Sequence, residues 1–240
     1  MCRMMLFLSS EEMFIPRNYI DEFKEVAKQG LSSKCGIDPH GDGFGVAWIS
    51  LNGYGIYKSL KSIWNADPPI QKSIAYLLHA RKQSTGSVSF ENTHPFERKG
   101  VILAHNGTIY AFNRHPVFYK PFGETDSEKF LCILTEFYDT KQSILDALIE
   151  TLNTVVAATS LNMFILTIQE NKALVVNMFF KQIPNCPNFY TLWMKEEKNY
   201  VIIASEPLDK DAWKPLARSP SEKVIVEFKL NDPLNYRIYR

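Results

Sequence analysis

A cysteine stands at position 2 of this chain, directly behind the initiator methionine. Removal of Met1 would put a thiol nucleophile and a free α-amine on one residue. An α-amine has an unperturbed pKa of ~7.7–8.0, close to what a general base needs near neutral pH. Pairing a nucleophile with an N-terminal amine is one route to its activation. With 4 cysteines in 240 residues, any given position is Cys by chance 1 time in 60. Cys2 therefore needs partners elsewhere in the chain.

Four other segments offer them, and each has a plain alternative. His79-Ala80-Arg81 is followed by Lys82-Gln83-Ser84-Thr85-Gly86. Arg81 is either a surface charge or a bidentate grip on a carboxylate, with Ser84 and Thr85 adding hydroxyls to the same pocket. His94, in Asn92-Thr93-His94-Pro95-Phe96, is either an exposed loop histidine or a pocket residue. His105-Asn106-Gly107-Thr108 follows the apolar run Val101-Ile102-Leu103-Ala104. Asn-Gly reads as a two-residue hairpin turn. It reads equally as an oxyanion hole, one side-chain amide donor beside one backbone N–H, with Gly allowing close approach. Asp126, in Gly123-Glu124-Thr125-Asp126-Ser127-Glu128, either serves a helix start and its dipole or meets a substrate ammonium.

The elements that must position these residues are partly readable. Residues 2–8 form a short apolar run, as in a buried strand. Pro16 opens a helical pattern to about Gln29, closed by Gly30. Strands at 44–50 and 54–60 flank the turn Leu51-Asn52-Gly53, and further strands are expected at 73–80 and 100–105. Thr125-Asp126-Ser127-Glu128 has the form of a capping box, and apolar spacing behind it predicts a helix. A second helix is expected over 141–157. Strand-like runs follow at 161–168, 172–179, 189–194, 199–204 and 223–229. Strands, two helices and more strands predict an α+β class with sheets layered against helices, in a single domain over residues 1–240.

Composition narrows the function classes. Hydrophobic residues make up 45% and charged residues 22%, as in ordinary globular proteins. A net charge of +1 implies neither nucleic acid nor an anionic membrane as partner. No run approaches the ~18 apolar residues of a membrane span, and no signal peptide is evident. The four cysteines lack C-x-x-C spacing and read as reduced thiols, which predicts a cytoplasmic protein. Cys35, His40 and the scattered histidines lack zinc-ligand spacing, so no metal is expected. Gly41-Asp42-Gly43-Phe44-Gly45-Val46 fails the dinucleotide pattern at Val46.

Taken in order, Cys2, H-A-R-x-x-S-T-G, E-N-T-H-P-F, A-H-N-G-T-I and G-E-T-D-S-E resemble the class-II glutamine amidotransferases. These are the N-terminal-nucleophile group that includes the glutaminase domain of glucosamine-6-phosphate synthase. The likeness is nearest to stand-alone members such as the ergothioneine-pathway γ-glutamyl hydrolases. It takes in Gly41–Trp48 and Ala204–Leu208, and so runs from residue 2 to about 208. The resemblance implies a four-layer αββα sandwich, the N-terminal nucleophile hydrolase fold. It implies Cys2 as nucleophile, Asn106 and Gly107 as oxyanion donors, Arg81 on the α-carboxylate and Asp126 on the α-ammonium. Ser84, Thr85 and His94 would lie around the substrate.

The activity so implied is hydrolysis of the γ-amide of glutamine or a γ-glutamyl compound through a Cys2 thioester, releasing ammonia or an amine without cofactor or metal. One alternative is a glutaminase subunit passing ammonia to a separate synthase partner; another is a non-enzymatic binding protein that keeps the fold. The chain departs from the family where Lys82, Gln83 and Ser84 replace an aromatic residue and Ala-Thr after the arginine. Members with a synthase or transferase domain continue far beyond 240 residues, so no ammonia-consuming domain is expected here.

Overall fold

A computed structural model describes residues 2–30 and 36–240. In chain order the strands are β1 (Arg3–Met13), β2 (Phe44–Ser50), β3 (Gly53–Ser59), β4 (Ser73–Ala80), β5 (Phe96–Arg98), β6 (Val101–Asn106), β7 (Ile109–Phe112), β8 (Val155–Ala158), β9 (Asn162–Thr167), β10 (Lys172–Asn177), β11 (Trp193–Glu196), β12 (Tyr200–Ala204), β13 (Lys214–Pro215), β14 (Val224–Lys229) and β15 (Asp232–Tyr239). The helices are α1 (Arg17–Gln29), α2 (Asp126–Lys141) and α3 (Ile144–Leu152).

One sheet runs β13-β11-β12-β1-β4-β2-β3 and a second β15-β14-β10-β9-β6-β5, while β7 and β8 pair as a separate ribbon. Central strands are apolar on both faces because both faces are covered. Along β1, Met4, Leu6 and Leu8 point to the core between the sheets, where they meet Ile102, Ala104, Phe164 and Val175. Met5 and Phe7 point the other way, onto Ile20 and Phe23 of α1. On the second sheet, Val101, Leu103 and Ile165 face Phe130 and Leu134 of α2 and Leu148 of α3. Helix, sheet, sheet, helices is the four-layer αββα arrangement. No helix among the described residues is long and apolar enough to cross a membrane.

Several local expectations are met, and others fail for identifiable reasons. The hairpin from Ser50 to Gly53 forms, with Gly53 at φ +133°. Thr125 caps α2 by accepting from the Glu128 N–H at 3.2 Å. The box is only half closed, because the Glu128 carboxylate accepts from the Phe122 and Gly123 N–H groups instead. The apolar spacing predicts a second helix to 157, but α3 ends at Leu152. Beyond it the β-branched run Thr154-Val155-Val156 favours extended backbone, and β8 pairs with β7. Cys186 is disulfide-bonded, which corrects its reading as a reduced thiol; Cys2 and Cys132 are free. Cys35 lies outside the described residues.

Candidate active site

The register of the first sheet builds one side of the site. Arg3 pairs with Ala80 and Met4 with His79, so Cys2 emerges beside the residues that follow β4. The Lys82 N–H donates to Cys2 Sγ at 3.3 Å, and the thiol lies 3.5 Å from the Lys82 carbonyl oxygen. The second sheet supplies the other side. β6 ends at Asn106, whose side-chain amide pairs with the Cys2 backbone: Oδ1 accepts from the Cys2 N–H at 2.6 Å, and Nδ2 donates to the Cys2 carbonyl at 2.8 Å. Asn106-Gly107 is therefore not a hairpin turn. β6 pairs through Asn106 with Asn162 of β9, and the chain then leaves this sheet for the β7–β8 ribbon.

Gly107 has a steric reason to be glycine. A Cβ there would run into the Ser160 carbonyl oxygen and crowd the His105 ring. Its N–H takes no part in the backbone hydrogen bonds of the turns and loops among the described residues. Cys2 is buried, and burial pushes its thiol pKa up; the Lys82 N–H and the Arg81 and Arg3 guanidinium groups act in the opposite direction.

Cys2, Arg81, Ser84, Thr85, His94, Gly107 and Asp126 all line one cavity of about 20 Å³. With Asn106 bonded to Cys2, every residue singled out from the sequence is at this place. Their engagements differ from simple expectation. Arg81 is buried, and its guanidinium donates to the Ser87 carbonyl at 2.9 Å and the Thr85 carbonyl at 3.0 Å. Five N–H donors leave others available. Asp126 accepts from the Ile109 N–H at 2.6 Å, so it links α2 to β7 as well as facing the cavity. His94 is buried, not exposed on a loop. Its ring centre lies 4.2 Å from that of His79, the two rings tilted by 32°, and neither ring nitrogen of His94 has a partner among the described residues.

The loop over the cavity is stitched to the start of α2. Glu124 accepts from the Ser87 N–H at 2.9 Å and from Asn92 Nδ2 at 3.1 Å, while Asn92 Oδ1 accepts from the Glu124 N–H at 2.7 Å. Segments distant in sequence thus become one wall. A model of the family described as glutamine amidotransferases class-II matches residues 25–167, which is more than half of the chain. The chain belongs to the class-II glutamine amidotransferases.

A provisionally named glutamine amidotransferase of Haemophilus influenzae is 34% identical over 121 residues, covering 45% of this chain and 41% of that protein. The match thus spans less than half of that relative. A predicted glutamine amidotransferase from Pseudomonas aeruginosa superposes at a TM-score of 0.61 with 20% identity, over 97% of this chain and 99% of that one. The glutamine phosphoribosylpyrophosphate amidotransferase of B. subtilis gives 0.60 with 17% identity, over all of this chain and 49% of that one. At such identities the two superpositions speak for the fold.

In this class-II amidotransferase, several residues around Cys2 were not singled out from the sequence. Lys82 meets the thiol only through backbone atoms, so its side-chain type gives no signal. Its ammonium instead pairs with Asp38 at 2.6 Å. His105 is fixed by Ser127 Oγ at Nδ1 (2.9 Å) and by the Ser160 carbonyl at Nε2 (3.1 Å), which sets the end of β6. Met4 exchanges bonds with Ser205, its N–H donating to Oγ at 3.0 Å and its carbonyl accepting from the Ser205 N–H at 3.0 Å. Arg3 pairs with Glu206 and donates to the Cys2 carbonyl at 3.2 Å. Among the described residues no cluster of His, Cys, Asp or Glu is arranged to hold a metal ion.

Proposed function

We propose that residues 1–240 form one amidohydrolase domain acting on the γ-amide of glutamine or of a γ-glutamyl compound, with Cys2 as nucleophile. One observation carries this reading. Cys2 and Gly107 line the same small cavity as Arg81 and Asp126, and the Asn106 amide is bonded to the Cys2 backbone.

Once Met1 is removed, the Cys2 nitrogen is an amine. One of its N–H bonds can stay on Asn106 Oδ1 while its lone pair takes the thiol proton, directly or through a water. Because burial raises the thiol pKa, little thiolate is present beforehand and a base is needed at the moment of attack. Sγ adds to the amide carbon. The oxyanion takes the Gly107 N–H and the second N–H of Asn106 Nδ2, since a primary amide has two donors. The α-ammonium of Cys2 returns the proton to the leaving nitrogen, and ammonia or an amine departs. Water then cleaves the γ-glutamyl thioester, with the same amine as base. Arg81 would hold the α-carboxylate and Asp126 the α-ammonium, with Ser84, Thr85 and His94 shaping the pocket.

The motif set supports a stand-alone hydrolase similar to the ergothioneine-pathway type. A second reading, a glutaminase unit passing ammonia to a synthase partner, draws on the B. subtilis amidotransferase, of whose chain this fold covers 49%. The test is ammonia release from glutamine by protein shown by intact mass to lack Met1. Activity that vanishes in Cys2→Ala supports the mechanism, and full activity in that variant sinks it. Turnover that rises strongly only when a partner protein is added selects the second reading.

A further inference from the structure

We infer that Arg3, braced by Glu206, is a positioning residue for the reaction: it fixes the Cys2 peptide group against Asn106 and keeps the Cys2 α-amine in its basic form near neutral pH. The inference rests on the reading of Cys2 as nucleophile with its own amine as base, and it assigns the residue that poises that base.

The geometry around one carbonyl carries it. A carbonyl oxygen has two lone pairs, and the Cys2 oxygen accepts two hydrogen bonds. Asn106 Nδ2 donates from the second sheet at 2.8 Å, and Arg3 Nη1 donates from the first at 3.2 Å. The peptide group that leads into β1 is thus held by both sheets, and with it the Cα that bears the amine and the thiol. Arg3 Nη2 pairs with the Glu206 carboxylate, so the cation stands between that carboxylate and Cys2. Sheet register delivers Glu206 to this place: Met5 pairs with Ala204, and Met4 exchanges two hydrogen bonds with Ser205.

The charge matters as much as the bond. Arg3 is 2% exposed. Burial disfavours its charged form and Glu206 offsets that cost, and an arginine stays charged where a buried lysine readily loses its proton. A fixed positive charge beside an amine disfavours protonation of that amine, and it acts more strongly inside a protein than in water. The same charge favours the Cys2 thiolate. Both effects suit an amine that must be free to take the thiol proton.

The other groups around Cys2 do not replace this one. Arg81, Lys82 and Asp126 line its cavity. The Lys82 ammonium is paired with Asp38, and Asp42 accepts from the Gln83 N–H. In the proposed complex the substrate carboxylate takes up the charge of Arg81, whereas Arg3 acts with or without substrate. Burial holds His40, His79, His94 and His105 below 6.5, so these rings are uncharged at neutral pH.

The test is the pH profile of kcat/KM for glutamine in protein lacking Met1. Its acid limb reports the amine, because only the free base takes the thiol proton. Arg3→Met should move that limb to higher pH by about one unit, which is roughly a tenfold loss at pH 6 beyond any loss on the plateau. Arg3→Lys, which keeps the charge but not the fork, should lower the plateau and move the limb less. Glu206→Gln unmasks the cation and should move the limb to lower pH. A plateau that falls in Arg3→Met with the limb unmoved would leave Arg3 a merely structural role and overturn the inference. If Arg3→Met does not fold, as thermal unfolding would show, Glu206→Gln decides: a limb that stays or moves to higher pH overturns it. If the wild type releases no ammonia, the hydrolase reading fails, and the inference is tested on the amine itself, by its ¹⁵N resonance in cysteine-labelled protein lacking Met1. An amine pKa below ~7.7 that shifts upward in Arg3→Met, or downward in Glu206→Gln, sustains the inference. A value of ~7.7 or above, or one that neither variant shifts, overturns it.

Discussion

The Asn106 side chain holds both backbone polar groups of Cys2, accepting from its N–H at 2.6 Å and donating to its carbonyl at 2.8 Å. The two residues lie at the ends of strands in different sheets. Cys2 is thus fixed by the packing of the sandwich, not by a local turn. The same amide keeps one N–H that can face a developing oxyanion. Asn106→Ala removes the clamp and the donor together, and kcat for glutamine should fall about 10²- to 10³-fold. Asn106→Asp keeps an acceptor for the Cys2 nitrogen but loses the donor, so it should retain more thermal stability than Asn106→Ala while losing comparable activity. Steady-state kinetics and thermal unfolding of both variants check this. Near-normal kcat in Asn106→Ala would remove the oxyanion role.

Retention of Met1 should abolish activity. An amide nitrogen at Cys2 can still donate to Asn106 Oδ1, but it has no basic lone pair to take the thiol proton. In preparations with different degrees of processing, ammonia release should scale with the fraction lacking Met1 by intact mass. Activity independent of that fraction would show that some other base serves the thiol.

Gly107→Ala should damage folding and catalysis together. The added Cβ meets the Ser160 carbonyl oxygen, which is backbone and cannot swing aside. Forcing a methyl into such a contact costs about 1–3 kcal/mol, and relief by shifting β6 would move Asn106 off Cys2. A lowered Tm with lost turnover is expected. A variant of wild-type stability and activity would mean that the chain bends there at little cost.

Much of this arrangement was legible in the sequence because short-range chemistry set it. The strand at 73–80 is a run of apolar residues that ends at Arg81, and Thr125 caps α2 as its spacing suggested. Cys2, Arg81, Gly107 and Asp126 reach one cavity because they stand beside the ends of β1, β4 and β6 or at the start of α2, while Ser84, Thr85 and His94 reach it from the loop between β4 and β5. What stayed hidden depends on tertiary pairing. β7 and β8 are strands only because they find each other across about forty residues, so the helical pattern through Val156 misled. Lys82 serves the thiol through its backbone, which no side chain advertises. His94 resembles a loop histidine until the fold buries it against His79.

Those two histidines predict the acid sensitivity of the protein. Burial pushes His79 down from 6.5 to about 3 and His94 well below 6.5. A group whose folded pKa is depressed contributes stability that is present above its unfolded pKa and is lost as pH falls toward the folded value. The unfolded chain takes up these protons near pH 6.5 and the folded chain does not, so each histidine lowers stability by roughly 1.4 kcal/mol per pH unit below that point. Denaturant unfolding should show falling stability from about pH 6 downward, and the slope should lessen in His94→Gln. Imidazole resonances of His79 and His94 should not titrate between pH 5 and 8. A shift in that range would place a charged imidazole beside Cys2 and change the proton inventory of the site.

A further loss is expected below pH 4.5 from Glu136. Burial raises this carboxyl, but the Arg114 guanidinium and the N–H groups of Phe118, Val117 and Tyr119 outweigh it and hold the pKa below 4.5. Its stabilisation is therefore complete above about pH 4.5 and disappears as pH falls through the lower folded value. Glu136→Gln keeps the shape but removes the charge that these donors converge on. It should cost about 2–3 kcal/mol at pH 7, and the difference from wild type should close as the pH is lowered through the carboxylate range. The donors belong to the segment that follows His115. The same variant should therefore raise hydrogen exchange at 117–119 more than at β1, β4 or β6, where Cys2 and Asn106 are anchored. Exchange rising equally in all of these segments would mean that Glu136 supports the whole sandwich and not this segment alone.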